Sequence, residues 1–403
     1  MMAAYEAAQT GANVLLLEKN RRLGEKLRIT GGGRCNITNN TPVVRELLSQ
    51  YKEAGKFLFS PFAVHSVVDT LNWLQNHGIK TSEEAGRRVF PESKSAVKVT
   101  ETFILLLRDA QVTVHTNAAV VTCRFDCQQQ QFLIEVAGGE GYVGKKVIVA
   151  SGGRSRPETG STGDGFAWLE SFGHTTVSPY TALVPVVVRE RSVVARLSGL
   201  PLPACGVVTI INGQRTNKVV GKLLFTHVGL SGPVILNLSG SLAPALLDGQ
   251  EVVLALDFLP AVATGELDRQ LVEIIMATPN RLIHNLLVAI IPRALTQPVL
   301  ALAAIPEDTP AHSLTVAMRK QLGAVLKSFP LSIERLLGPD KAVITAGGVA
   351  LEEIDFRTME SKLQPGLFVI GDMLNIDRPS GGYSLQLCWT TGYVAGRAAA
   401  ART

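Results

Sequence analysis

The chain has 403 residues, of which 46% are hydrophobic and 18% are charged. A composition this apolar excludes an intrinsically disordered protein, and the length predicts two or three domains around a sizeable core. The net charge of +5 is mild for this length, so it permits an anionic cofactor but does not predict the concentrated basic patch of a nucleic-acid-binding protein.

Hydrophobic runs and cysteines together predict a cytoplasmic protein. The longest apolar runs, such as Leu286–Ile291, are too short for a membrane span, and the N-terminus has no signal-peptide pattern. The five cysteines form no CxxC pair, and an odd number in a chain without an export signal favours reduced thiols. The missing CxxC also disfavours a redox-active disulfide.

The N-terminal segment indicates a nucleotide-binding unit. Met1–Gln9 is predicted to be a helix that ends at Gly11, and Val14–Leu17 a short strand followed by Glu18. An acid after the second strand of a βαβ unit accepts a hydrogen bond from a ribose, and the pyrophosphate-binding glycines should lie about 20 residues before it. Counting back from Glu18 reaches Met1, so we expect this chain to lack the first strand and its GxGxxG turn.

A glycine-rich loop with basic side chains follows this strand. Its three consecutive glycines, Gly31–Gly33, allow the backbone to approach a ligand closely, and the lysine and arginines around them suit a phosphate. A surface turn with solvated charges is the alternative, and Glu18 upstream makes it less favoured.

Alternating helix and strand patterns continue to about residue 171. The predicted elements are helices at Ser60–His77, Lys98–Asp109 and Phe166–Ser171 and strands at Val112–His115, Thr116–Phe125, Phe132–Val136 and Val147–Ala150. Val120 lies where a strand edge could contact an adenine, although an ordinary strand residue is the simpler interpretation. Gly152 and Gly153 follow a strand at the edge where cofactors pass in parallel sheets. Asp164, in the small-residue run Thr159–Gly165, is either a helix N-cap or a ligand contact.

The character of the sequence changes near Thr181. Short β-type runs predict strands at Leu183–Val188, Gly206–Ile211, Lys218–Phe225 and Glu251–Asp257, and helical patterns follow at Gly265–Ile291 and Ser313–Lys327. The prolines between these two helical patterns predict interruptions. His227 lies among glycines, but a satisfied or solvent-facing histidine is the simpler interpretation. No histidine spacing predicts a metal site.

The last segment returns to α/β signals. After Val343–Gly348, the run Leu367–Ile370 predicts a buried strand that ends at Gly371 and Asp372. Gly381 and Gly382 then open an apolar helix, Tyr383–Ala400. A helix N-terminus is positive, which suits the negatively charged pyrimidine edge of a reduced flavin. Asp372 could accept a hydrogen bond from a ribityl hydroxyl or cap a turn.

Four long motifs then resemble a known family. They are GEKLRITGGGRCNITN (24–39), ASGGRSRPETGSTGDGFAWLESFGH (150–174), LLFTHVGLSGPVIL (223–236) and TAGGVALEEIDFRTMESKLQPGLFVIGDMLNIDRPSGGYSLQ (345–386). Together they resemble the bacterial FAD flavoproteins of the aminoacetone oxidase-like family, which includes a bile-acid pathway enone reductase. The resemblance covers essentially the whole chain.

The resemblance implies a fold of the α/β class. It implies a discontinuous Rossmann-like FAD-binding domain with inserted β-barrel-like and helical segments. The first part of that domain would be 1–180 and the second 343–403, with a β-rich insert at 181–260 and 330–342 and a helical insert at 261–329.

The resemblance also implies which residues surround FAD. They are Glu18, Lys19, Lys26, Arg28, Gly31, Gly32, Gly33, Arg34, Cys35, Asn36, Val120, Gly152, Gly153, Gly371, Asp372, Gly381, Gly382, Tyr383, Ser384, Leu385 and Gln386. Besides the missing first strand, the chain departs from the family pattern at three positions. A family aspartate near Asn375 and a family glycine near Arg378 are replaced, and Ser384 stands where the family usually has asparagine.

The resulting hypothesis is an FAD-dependent oxidoreductase that transfers a hydride through flavin N5, with a small organic substrate or NAD(P)H as partner. No second GxGxxG is visible, so NAD(P)H is expected at most as a transient electron donor. Two alternatives stay open: a small-amine oxidase that produces hydrogen peroxide, and a flavin-free remnant with a structural or interaction role. Tyr383 and His227 are catalytic candidates by chemistry only, and we expect neither a metal nor a nucleic-acid partner.

Overall fold

The computed structural model describes residues 1–342 and 344–401, with the backbone alone for residues 179–181. The chain forms two compact units. The first unit joins Met1–Ala182 to the described residues from Pro339 onward, and the second unit is Leu183–Gly338. None of the described helices combines the length and the apolar character that a membrane span requires.

The first unit begins with alternating helices and short strands. Its helices up to Ala182 are α1 (Met2–Gln9), α2 (Glu25–Ile29), α3 (Val44–Ser49), α4 (Gly55–Val64), α5 (Val67–Asn76), α6 (Ala96–Asp109) and α7 (Asp164–Ser171). Its strands are β1 (Leu15–Leu17), β2 (Thr38–Asn39), β3 (Thr81–Glu84), β4 (Arg88–Pro91), β5 (Thr113–His115), β6 (Val120–Asp126), β7 (Gln131–Val136), β8 (Gly141–Gly144), β9 (Val147–Val149) and β10 (Thr176–Ala182).

The second unit combines a closed barrel with helices. Its strands are β11 (Val186–Val188), β12 (Pro201–Ile211), β13 (Gln214–Arg215), β14 (Val219–Phe225), β15 (Gly229–Ser231), β16 (Val252–Asp257) and β17 (Phe329–Leu336). Its helices are α8 (Arg191–Arg196), α9 (Pro233–Leu247), α10 (Thr264–Ala277), α11 (Ile283–Leu287), α12 (Arg293–Leu302) and α13 (Val316–Lys327). Six strands close in the order β12-β14-β15-β11-β17-β16, because β16 also pairs with β12. This confirms the predicted β-barrel-like insert.

The chain then returns to the first unit with β18 (Ile344–Val349), β19 (Leu367–Val369) and α14 (Tyr383–Ala400). β19 pairs with β9 and β1 pairs with β5, both in parallel, while β10 and β18 are antiparallel. Val149, Val369 and Leu387 are buried together in one apolar cluster, so α14 covers the β9–β19 pair. Strands from both chain ends therefore share one core, which confirms the discontinuous Rossmann-like α/β fold.

The boundaries of the units differ by a few residues from the predicted segments. β10 ends at Ala182 and pairs with β18, so the strand that crosses residue 181 belongs to the first unit. Pro339 begins the return to this unit. The finer division of the second unit into β-rich and helical segments stays a prediction, and Val343 and residues 402–403 lie outside the described residues.

The single helix predicted at Ser60–His77 is wrong, because Ser66 caps the N-terminus of a second helix. Ser66 Oγ accepts the N–H of Asp69 at 3.2 Å, and Asp69 Oδ2 accepts the N–H of Ser66 at 2.8 Å. This reciprocal pair is a capping box, which fixes a helix N-terminus. α4 therefore ends at Val64 and α5 begins at Val67.

Helices of the second unit also differ from prediction. α9 lies within the segment predicted to be β-rich. Its sequence is apolar at most positions and contains Pro244, so the contrast between apolar and polar positions that identifies a helix is weak. The helix predicted at Gly265–Ile291 is interrupted between α10 and α11. α12 contains Pro298, although the prolines of this region predicted interruptions.

Candidate functional site

Three distant segments of the first unit meet at Lys26. Its Nζ donates to Ser155 Oγ at 2.8 Å and to Asp372 Oδ2 at 3.4 Å. Ser155 follows the glycine pair after β9, and Asp372 follows β19. The adjacent Gly371 N–H donates to Thr391 Oγ1 of α14 at 3.2 Å. The structure therefore brings the basic loop, the turn after β9 and the end of β19 to one place.

Asp372 lies in a buried group of charges. Arg378 Nη2 donates to Asp372 Oδ1, and the side chains of Arg378 and Asp372 are 0% and 11% exposed. Arg378 also donates through Nη1 to Ile376 O at 2.8 Å and through Nε to Ser384 Oγ at 3.1 Å. Burial alone would raise the pKa of Asp372, but the Arg378 and Lys26 cations outweigh it and hold the pKa below its usual range. Asp372 is therefore ionised and already accepts hydrogen bonds on both oxygens.

The start of α14 is packed tightly against β2. Gly382 has φ 110°, and a Cβ there would lie 2.3 Å from the carbonyl carbon and oxygen of Thr38. The neighbouring Gly381 carbonyl accepts a hydrogen bond from Asn39 Nδ2 at 3.2 Å. Tyr51 is buried and donates its hydroxyl to the Tyr383 carbonyl at 2.9 Å. The glycine pair thus lets two backbone segments touch at this point.

Buried polar atoms without partners lie in the same two segments. Asn36 Oδ1, Thr38 Oγ1 and Gln386 Oε1 have no hydrogen-bond partner among the described residues. Leaving a buried polar atom unsatisfied costs about 1–3 kcal/mol, so these three atoms require partners that the described residues do not supply.

The orientation of the Gln386 amide follows from its neighbours. Its Nε2 lies 2.8 Å from Thr70 Oγ1 and 3.0 Å from Thr390 Oγ1. Both hydroxyls donate their protons to backbone carbonyls, those of Ser66 and His65, so toward Gln386 they can only accept. The amide nitrogen must therefore face them, which leaves Oε1 as a free acceptor.

The glycine loop divides into a structural position and two open positions. Gly31 has φ 58°, and a Cβ there would lie 2.7 Å from the Asn36 nitrogen. A Cβ on Gly32 or Gly33, which also have positive φ, would meet no described atom within 4 Å. Gly31 therefore closes the loop, and the next two glycines face open space, where a ligand can approach the backbone.

Gly152 and Gly153 have packing reasons of their own. A Cβ on Gly153 would lie 2.2 Å from Thr345 Oγ1, and one on Gly152 would lie 3.0 Å from Ser161 Oγ. Thr345 Oγ1 accepts the N–H of Arg154 at 2.7 Å. Close packing of this turn on β18 therefore accounts for the missing side chain of Gly153 without a cofactor.

At the end of β1, Glu18 and Lys19 already have partners. Glu18 Oε1 accepts the N–H of Asn20 at 2.8 Å, and Lys19 Nζ forms an ion pair with Asp164 at 2.5 Å. Burial raises the pKa of Glu18, partly offset by the Asn20 hydrogen bonds. The N-cap interpretation of Asp164 is wrong, because Gly163 is the N-cap and Asp164 is the first residue of α7.

The side chains of Arg34 and Cys35 are occupied within the protein. Arg34 forms an ion pair with Glu84, and its guanidinium lies 4.2 Å from the centre of the Phe90 ring. Cys35 is 0% exposed, and burial raises the pKa of its thiol to about 12. Only the backbone groups of these two residues therefore remain available to bind a ligand.

Arg28 lies apart from Lys26. It lines a cleft of about 590 Å³ together with Arg22 and Arg108, and its Nε is buried without a partner among the described residues. Residues two apart on a helix point in different directions, so α2 directs Lys26 and Arg28 to different places. The structure therefore does not bring Arg28 together with the other predicted FAD contacts.

Three other residues singled out in the sequence lie in ordinary structural positions. Val120 begins β6 and pairs with Val136 in a hairpin, and Leu385 packs against an apolar core cluster. His227 lies in the second unit and is exposed, as the simpler interpretation predicted. The buried contact between Arg378 and Asp372 was not predicted, because an arginine between Asp377 and Pro379 is typical of a polar loop.

Comparisons with known proteins assign the chain to a family. A model described as the HI0933-like protein Rossmann domain matches residues 1–398. The chain is 31% identical to the 3-dehydro-bile acid delta(4,6)-reductase of Clostridium scindens over 100% of this chain and 97% of that protein. It is 30% identical to the ribosomal RNA dihydrouridine synthase of Escherichia coli over 98% of this chain and 93% of that protein.

Solved structures agree on the fold. A 3-ketosteroid delta1-dehydrogenase from Sterolibacterium denitrificans matches with a TM-score of 0.54 and 13% identity, over 99% of this chain and 97% of that chain. A flavocytochrome c3 fumarate reductase matches with a TM-score of 0.51 and 16% identity, over 99% and 76%. The relatives and the family match support the class of FAD-dependent oxidoreductases. They confirm the resemblance seen in the motifs, and the chain belongs to the HI0933-like Rossmann-domain family.

Proposed function

We propose that this chain binds FAD and uses it to reduce a carbon–carbon double bond that is conjugated to a carbonyl group, with NAD(P)H as the electron donor. In the overall reaction a hydride from NAD(P)H and a proton from solvent add across the double bond, and NAD(P)⁺ is released. FAD, when bound, supplies the capacity to accept and pass on the hydride.

The observation that carries this proposal is the chemistry shared by the two named relatives. A 3-dehydro-bile acid has a 3-oxo group, which conjugates with double bonds at positions 4 and 6. Dihydrouridine is uridine whose ring double bond, conjugated to a carbonyl, has been saturated. Each relative aligns with at least 98% of this chain. The bond type is therefore the common element, whereas the molecules that carry it differ.

The residues of the first unit fit a flavin nucleotide. The unpartnered acceptors Asn36 Oδ1, Thr38 Oγ1 and Gln386 Oε1 match the N–H and hydroxyl donors of a flavin and its ribityl chain. The open glycines Gly32 and Gly33 and the N-terminus of α14 offer backbone N–H groups to its negatively charged parts. We propose that these groups bind and orient FAD, and we assign no general acid.

The substrate that the sequence favours is a small organic molecule. The mild net charge of +5 supports this choice, since an RNA-binding surface needs concentrated positive charge. A uracil ring within RNA carries the same reducible bond, so RNA is the alternative that the experiment must separate. The absence of a nucleic-acid partner and a cytoplasmic location stay predictions.

The test combines a spectrum with an assay. Purified protein incubated with FAD and desalted should retain the visible absorption of flavin, and it should oxidise NAD(P)H only when a 4-ene-3-oxo steroid or a uridine-containing RNA is added. Turnover with the steroid but not with RNA supports a small organic substrate. Turnover with RNA but not with the steroid identifies RNA as the substrate instead. Hydrogen peroxide from small amines without NAD(P)H would instead establish the oxidase alternative. Protein that stays colourless in excess FAD would establish the flavin-free alternative.

A further inference from the structure

A buried group of three charged side chains beside α14 carries one more positive charge than negative charge. Arg378 and Lys26 are the cations, and Asp372 is the carboxylate that binds both. Their side chains are 0%, 28% and 11% exposed, in that order. Arg378 and Asp372 are buried as a pair and Lys26 is half-buried beside them, so the group carries one excess positive charge that an anion in the adjoining site would stabilise.

No further carboxylate of the described residues forms an ion pair with Arg378 or Lys26. Asp377, the acid next to Arg378 in sequence, forms its own ion pair with Lys52. The thiol of Cys388 and the hydroxyl of Tyr51 lie near the group and could in principle carry a negative charge. Burial raises the pKa of the Cys388 thiol to about 11 and raises the pKa of the Tyr51 hydroxyl still more, so both are uncharged at neutral pH. The missing negative charge is thus not supplied by these neighbours.

The excess charge lies at the positive end of a helix. Arg378 Nε donates to Ser384 Oγ at 3.1 Å, and Ser384 is the second residue of α14. An 18-residue helix carries a partial positive charge at its N-terminus. A buried cation placed there is opposed by the helix as well as by desolvation, and both penalties are offset when an anion binds.

We infer that Arg378 is a positioning residue whose buried cation, held by Asp372 and Ser384, makes the flavin site favour the reduced ring over the oxidised ring. This inference rests on the proposed function. The oxidised ring is neutral, whereas the ring that has gained two electrons and one proton is an anion. The phosphates of FAD are anionic in both states, so a cation that served only them would stabilise both states equally.

The experiment measures the dissociation constant of FAD in both states. Fluorescence titration gives the constant for oxidised FAD, and anaerobic titration with dithionite-reduced FAD gives the other. We expect Arg378→Gln to lower the ratio of oxidised to reduced dissociation constants about tenfold, since one nearby charge is lost. For a two-electron couple this is a potential about 30 mV lower. Arg378→Lys, which keeps the charge, should restore most of the ratio.

Two further variants give the sign and the control. Asp372→Asn removes the counter-charge, so we expect the ratio to rise rather than fall. Lys52→Gln removes an exposed cation from the neighbouring ion pair with Asp377 and should leave the ratio unchanged. Spectra of the bound flavin provide a readout that does not depend on turnover.

Equal weakening of both states by Arg378→Gln would overturn the inference, because it would identify a structural or phosphate-binding role. If Arg378→Gln does not fold, Asp372→Asn decides, and an unchanged or lower ratio overturns the inference. Wild-type protein that binds no FAD would refute the proposed function itself. That result differs from a flavin-binding protein whose ratio ignores Arg378, in which only this inference fails.

Discussion

The guanidinium of Arg378 donates from Nε to the hydroxyl of Ser384 across 3.1 Å, deep in the first unit. The resemblance predicted departures from the family pattern near Arg378 and at Ser384, and the structure places these two residues in direct contact. The short serine side chain presents one hydroxyl at the start of α14, and the arginine side chain contacts it from the preceding loop. The two residues therefore form one local arrangement.

Removing this hydroxyl tests how much the arrangement stabilises the fold. Ser384→Ala leaves the buried Arg378 Nε without an acceptor, so we expect the free energy of unfolding to fall by about 1–3 kcal/mol. Urea denaturation followed by circular dichroism measures it. The matched control is Ser49→Ala. Ser49 is exposed, and its hydroxyl donates to the backbone carbonyl of Glu46, so this variant should change the free energy of unfolding by less than about 0.5 kcal/mol. An equally small change in Ser384→Ala would refute the role of this hydrogen bond.

The contact between α14 and β2 predicts a strong effect of one methyl group. Gly382→Ala would place Cβ 2.3 Å from the Thr38 carbonyl at φ 110°, so the backbone must move. We expect a loss of roughly 3 kcal/mol or more in unfolding free energy, measured by urea denaturation.

Gly32→Ala is the contrast, because it has positive φ but open space around its Cβ. Its free energy of unfolding should fall only by the conformational strain, about 1–2 kcal/mol. A methyl group facing a ligand should also weaken FAD binding, which fluorescence titration measures. If both alanine variants lose the same stability, the close contact at Gly382 does not exist in solution.

His65 should make stability depend on pH. Burial lowers the pKa of His65 to about 4, and its Nε2 has no partner among the described residues. The unfolded chain takes up the proton near pH 6.5 and the folded chain only near pH 4, so the folded state loses stability as the pH falls through this window. The loss attributable to His65 is roughly 3 kcal/mol, and below the lower value it levels off.

The variant His65→Phe isolates this contribution. Phenylalanine can keep the stacking on Tyr393, whose ring centre lies 4.1 Å away, and it cannot be protonated. Between pH 7 and pH 4, the unfolding free energy of the wild type should fall relative to that of His65→Phe once the pH drops below 6.5, because only the unfolded wild type gains a proton there. Parallel pH profiles would contradict the buried neutral histidine.

The cysteines should differ sharply in reactivity. Among the five, all of which the structure describes, Cys127 is exposed, whereas Cys35 is buried with its thiol pKa raised by burial to about 12. Because the thiolate is the reactive form, iodoacetamide at neutral pH should label Cys127 quickly and Cys35 only after unfolding. Peptide mass spectrometry measures the labelling. Rapid labelling of native Cys35 would show that its loop opens.

The sequence predicted the parts of the fold that are fixed locally. α14 begins at Tyr383 and ends at Ala400, as predicted, because a glycine pair precedes an apolar run with helical residues. β1 and β9 agree within a residue, since short apolar runs bounded by polar residues and glycines are typical of short parallel strands.

Features decided by tertiary contacts could not be predicted in this way. The different directions of Lys26 and Arg28 depend on a short helix, α2, whose five residues give no periodic signal. The pairing of Arg378 with Asp372 joins two loop positions, and no pattern distinguishes a buried loop arginine from a solvated one. The unpartnered oxygens of Asn36 and Gln386 likewise become visible only when the neighbours that satisfy every other group are known.

The proposed reaction of this chain is the reduction of a conjugated double bond with electrons from bound FAD. The most direct measurement follows the visible absorption of the FAD-loaded protein under anaerobic conditions, first reduced with NADPH and then mixed with a 4-ene-3-oxo steroid or a uridine-containing RNA. We predict that NADPH bleaches the flavin and that one of these conjugated acceptors restores its colour without oxygen. Flavin that NADPH does not reduce, or that only oxygen reoxidises, would contradict the proposed function.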